Sequence, residues 1–112
     1  MNESNKEKQI IDIKNDIVKT QKDAFDKEVK ISVQSQLSDI NKYSMLIVKD
    51  NDIIVLNEKI VKSVASQLDN GVITSTEYLI QLNSEAQARL DLETHKIELI
   101  LAKINYLTSM GN

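Results

Sequence analysis

Along the first two thirds of the chain, apolar side chains return at every seventh residue. Val33, Ile40, Ile47, Ile54, Val61 and Leu68 form one such column, and Ile10, Ile17, Ala24 and Ile31 form an earlier one. Seven residues span two turns of an α-helix, so each column lies along one side of a helix. The pattern predicts a helix over about 3–69. The two columns differ in phase by two residues. A straight helix drifts against a strict seven-residue repeat, so a long helix re-phases its seam. A break between Ala24 and Val33 is the alternative, but neither glycine nor proline stands there. Opposite charges four residues apart, Asp23/Lys27, Asp26/Lys30 and Glu58/Lys62, suit an outward helix face.

A second apolar stripe runs through Leu79, Leu82, Ala86, Leu90, Ile97, Ile100, Ile104 and Leu107. Its steps of mostly three and four predict a helix over about 75–110, with the pair Glu85/Arg89 on the solvent side.

The segment 70–74 separates the two. Gly71 fits the left-handed position just past a helix C-terminus, which a residue with a Cβ adopts only at a cost. Thr74 and Glu77 have the spacing of a capping box, in which each side chain accepts from the other's backbone amide. Ile73 and Tyr78 occupy the hydrophobic-staple positions around that cap. An Asn-Gly pair also occurs in β-hairpins, but neither flank alternates with period two. Stop signal, turn and start signal together predict an all-α fold, a long antiparallel two-helix coiled-coil hairpin spanning residues 1–112.

Lengths sharpen the picture. At about 1.5 Å per residue the first helix spans roughly 95 Å and the second roughly 55 Å. Pairing back from the turn sets Gly111 opposite about Ile31. Ile10, Ile13, Ile17 and Phe25 are then left without a partner in the chain. Such a chain is expected to be part of something larger. On its own, the expectation is an antiparallel pair of chains in which each overhang meets its mate; folding back of the first third as another helix is the alternative.

Composition supports long helices. The 112 residues include two glycines, no proline and no cysteine, where ordinary chains carry about 7% Gly and 5% Pro. Aromatic residues are 4% of the chain, too few for a thick core but enough for narrow seams. The net charge of −3 comes from interspersed acids and bases, which argues against nucleic acid or an anionic lipid surface as partner. No run approaches the roughly 18 apolar residues of a membrane helix. The polar N-terminus lacks the apolar run of a signal peptide, so any export signal of a parent protein lies outside these residues.

The turn carries a family resemblance. Asn70-Gly71-Val72-Ile73-Thr74-Ser75-Thr76-Glu77-Tyr78-Leu79 resembles the Gly-x-x-[ST]-x-x-[DE]-x-L turn of TolC-like outer membrane efflux proteins. Gln81 to Leu90 continue in the small and polar style of that family's next helix. Ala102-Lys103-Ile104-Asn105-Tyr106-Leu107-Thr108-Ser109-Met110-Gly111 is similar to its closing segment, and the distance from Gly71 to Gly111 matches the family spacing. The likeness covers residues 68–111; the first sixty share only its helical character.

The resemblance implies a homotrimer with a β-barrel in the outer membrane and an α-helical barrel, or tunnel, in the periplasm. This chain would be the periplasmic hairpin of the second repeat, without the barrel and equatorial parts. It would work with a periplasmic adaptor protein and an inner membrane pump to export small molecules or proteins. The membrane would be met only through the missing barrel, and the isolated fragment would be soluble. Glu77 matches an acidic residue lining the closed aperture, where three copies would form a cation-attracting ring. Where the family often has a second acid, this chain has Ile80, which implies a partly hydrophobic constriction. Ile73 replaces a basic gate-linking residue, so that link is not carried over. Asn70, Gly71 and Val72 occupy the tip offered to the adaptor.

The residues alone also allow blander roles. Glu77 completes the capping box with Thr74, and Gly71 serves the turn. The single histidine, His95, shares a helix face with Asp91 and Glu98, a weak metal pattern that reads better as a solvated face. No metal site, cofactor site, phosphate loop or nucleophile–base set is apparent, so an enzyme is not expected. The alternative function is a soluble coiled-coil interaction or scaffold module.

Overall fold

A computed structural model describes residues 2–111. The described residues form two helices, α1 over Asn2–Asp69 and α2 over Ser75–Gly111, packed as an antiparallel hairpin 103 Å long. α1 is uninterrupted through the region where its apolar columns change phase.

The α1 column of Val33, Ile40, Ile47, Ile54, Val61 and Leu68 turns toward α2, and all six are at least half-buried. The second α1 column against α2 is largely polar: Gln36, Tyr43, Asp50, Asn57 and Val64. α2 answers with Tyr78, Glu85, Leu92, Leu99 and Tyr106 in one column. Gln81, Ala88, His95, Ala102 and Ser109 form the other. Both helices thus alternate steps of three and four, the seam geometry of two helices packed knobs into holes. Among the described residues Ala88, Ala102 and Ile54 are the buried apolar ones, and no large side chain is fully buried. The small Ala88 and Ala102 on α2 and the branched Ile54 on α1 are thus the most enclosed apolar positions of the seam.

This corrects the reading of α2. Only Leu82 of its apolar stripe is half-buried; the rest does not face α1. Leu90 and Ile97 are each 59% exposed, and Leu79, Ile100, Ile104 and Leu107 are also exposed. The seam uses the neighbouring, more polar face. Laying the Leu90 stripe on α1 would set Asp50 against aliphatic side chains, and a buried carboxylate without a partner is costly. The observed rotation gives Asp50 the imidazole of His95 instead.

The charge pairs shift as well. Glu58 is taken by Arg89 of the opposite helix at 2.8 Å, not by Lys62. Arg89 also donates to Glu85 at 3.0 Å, but Glu85 is a half-buried seam residue, so this pair bridges the seam edge instead of lying wholly on the solvent side. Among the described residues, Asp23/Lys27 and Asp26/Lys30 do not close into ion pairs.

Residues 2–32 are exposed throughout, and Val33 is the first half-buried position. The uncovered length of α1 therefore begins where α2 runs out, as pairing back from the turn requires. Among the described residues no helix is long and apolar enough to cross a membrane.

Candidate functional site

The hairpin tip is built by two reciprocal hydrogen-bonding motifs. At the end of α1, the Val72 amide donates to the Gln67 carbonyl at 2.8 Å and the Gly71 amide to Leu68 at 3.0 Å. Gly71 holds φ at +73° between them. This is the Schellman ending, which satisfies carbonyls that the last helical turn leaves open. A Cβ on Gly71 would meet nothing within 4 Å. The glycine is thus required by its backbone angle, not by crowding, and open space surrounds it.

At the start of α2 the Thr74 amide donates to Glu77 Oε2, and the Glu77 amide donates to Thr74 Oγ1, both at 3.1 Å. Ile73 and Tyr78 flank this box and are half-buried, as a hydrophobic staple requires. Caps on both helices leave a five-residue turn with little backbone left unsatisfied.

The tip presents few side chains. Asn70 and Gly71 are exposed, and Val72 is 70% exposed. Glu77 is exposed, with Oε2 engaged in the cap. Ile80, three residues along, is exposed on the same side of the helix. An acid beside an aliphatic residue thus lies next to the turn, available to a neighbour.

Deeper in the hairpin lies a polar cluster that sequence reasoning did not assemble. His95 Nδ1 is 2.5 Å from Asp50 Oδ2, and Asp50 is only 6% exposed. His95 is a seam residue and not part of a solvated face. Asp91 is engaged elsewhere, accepting from Gln87 Nε2 at 2.8 Å. Among the described residues no three potential ligands converge on a metal position. The Tyr43 ring lies 6.5 Å from the His95 ring, tilted by 30°, with Lys42 Nζ 5.2 Å from the Tyr43 ring centre. The charge of Glu98 holds the Tyr43 phenol above its ordinary pKa, and desolvation and Asp39 act in the same direction. Asp39, Tyr43, Glu98 and Asn105 line a shallow open groove over the seam. A cross-helix pairing of His95 with Asp50, forty-five residues away, has no local signal. The sequence clue was that Asp50 and His95 each sit in a seven-residue column beside apolar ones.

No protein-family model, curated protein or solved structure matches the chain.

Proposed function

We propose that this chain is a periplasmic tunnel segment of an outer membrane export channel, built like the TolC-type hairpins its turn resembles. The observation that carries the reading is the placement of apolar side chains on faces that the hairpin itself leaves bare. α2 keeps its stripe of Leu90, Ile97 and Ile104 exposed, and α1 exposes Met45, Val48 and Val55. A hairpin that closes on a mixed seam and leaves further aliphatic side chains on its flanks is suited to stand as one stave beside others. Exposed apolar stripes of this extent mark contact surfaces.

In this reading the capped tip is the periplasmic end. Three copies of Glu77 and Ile80 surround the aperture, and Asn70, Gly71 and Val72 meet the adaptor. The hairpin conducts and docks; it performs no bond chemistry. The segment stands in the periplasm, with a barrel encoded elsewhere in the parent protein holding it to the outer membrane.

The surrounding reading frame tests this first: a second hairpin roughly one repeat upstream and an export signal are expected. Single-channel recording of the assembled parent protein tests the gate. Glu77→Gln should lower cation preference by removing converging carboxylates. Unchanged selectivity and conductance would put Glu77 outside the lumen, and a short cytosolic frame would leave the scaffold-module reading in its place.

A further inference from the structure

The overhang of α1 and the outer stripe of α2 fit each other, and we infer that two copies of this chain associate as a full-length antiparallel pair in which each overhang lies along the partner's α2. The inference does not rest on the tunnel reading; it concerns what covers the same faces when this chain is alone.

Three observations select this arrangement. The first is length. In an antiparallel pair with ends flush, Asn2 of one copy is level with the other's turn and with Ser75, the first residue of α2. The overhang of residues 2–30 then runs about 43 Å along an α2 of about 56 Å. Each cross-section outside the middle holds three helices, two from one hairpin and one overhang.

The second is phase. From that flush start the exposed Ile17, Ala24 and Ile31 fall level with the exposed Leu90, Ile97 and Ile104. Both sets step by seven, so they stay in phase along a parallel contact. Ile13 falls level with Ala86, and Glu28 comes beside Lys96.

The third is charge. Residues 2–30 contain seven lysines and seven acids, so the net charge of −3 resides in the rest of the chain. Setting a neutral overhang on an acidic hairpin meets no net repulsion, whereas hairpin on hairpin does. Two-fold symmetry uses both strips twice, bringing the contact toward the roughly 20–30 residues a side of a stable interface. Pairing overhang with overhang would leave the α2 stripe bare.

The chain has no cysteine, so introduced thiols report contacts directly. Light scattering of the unmodified chain at about 100 μM should give twice the 12.7 kDa mass. Chains carrying Ile17→Cys and chains carrying Leu90→Cys, mixed and oxidised with diamide, should form a disulfide-linked heterodimer. Each alone should remain unlinked, because like positions lie on opposite halves of the pair. Both substitutions are at exposed positions, so circular dichroism should show unchanged helix. A monomer or trimer by scattering overturns the inference. So does an Ile17→Cys homodimer, which would indicate overhang on overhang. An intrachain disulfide in the doubly substituted monomer, marking a folded-back third helix, overturns it too. None of these failures bears on the tunnel reading, in which other hairpins cover these faces.

Discussion

Asp50 of α1 and His95 of α2 meet across the hairpin seam, the imidazole Nδ1 2.5 Å from the carboxylate Oδ2, with Asp50 the one buried charged residue among those described. The pair aligns the two helices at a single register. Sliding α2 by one turn would set a buried carboxylate against aliphatic side chains. Truncating either partner leaves the other half-paired, at a cost of about 1–3 kcal/mol. Asp50→Ala and His95→Ala should therefore each lower stability, while Asp50→Leu with His95→Leu should recover most of the loss. A double-mutant cycle from urea melts, at fixed protein concentration, checks this. Additive single effects would show that the contact carries no coupling.

Alkaline pH probes the groove beside that pair. Glu98, and to a lesser degree burial and Asp39, raise the Tyr43 pKa in the folded state. A raised folded pKa means the contribution of Tyr43 is fully present below the unfolded value and is lost as pH rises through the folded one. Stability should thus fall from about pH 10 upward, and Tyr43→Phe should flatten that fall. Melts between pH 8 and pH 11, with tyrosinate absorbance followed in parallel, give the comparison. An identical fall in the variant would assign it to other groups.

The tip tests capping. Thr74→Ala with Glu77→Ala removes both reciprocal bonds and should cost about 1–2 kcal/mol. Gly71→Ala should cost about 1–2 kcal/mol through the left-handed φ alone, because its Cβ meets no neighbour. Circular dichroism melts measure both, and an unchanged melting temperature in either would reject the corresponding motif.

Gln36 offers the opposite sign. Its Nε2 donates to Ser32 Oγ at 3.3 Å, but its Oε1 is buried with no partner. A buried unpaired acceptor costs about 1–3 kcal/mol. Gln36→Leu keeps the size, removes the orphan and should raise the melting temperature by a few degrees. A lower one would mean the amide is satisfied in solution.

Much of this molecule is local and was therefore legible in its residues. The column Val33–Ile40–Ile47–Ile54–Val61–Leu68 named the inner face of α1, because helical period alone determines which residues share a side. Gly71, Thr74 and Glu77 named the turn, because their bonds reach no further than a few residues. The face of α2 was different. It carries an apolar stripe and, beside it, a mixed column of Ala88, His95 and Ala102. Periodicity marks both as continuous faces without ranking them. Only the packed pair decides, because the choice depends on what α1 presents: branched side chains that need small neighbours, an Asp50 that needs a donor, and a Glu58 that needs Arg89. Those requirements act across tens of residues of chain, and they outweigh the aliphatic stripe that amphipathic logic would have buried. Apart from Leu82, the stripe remains exposed on the outside of the hairpin.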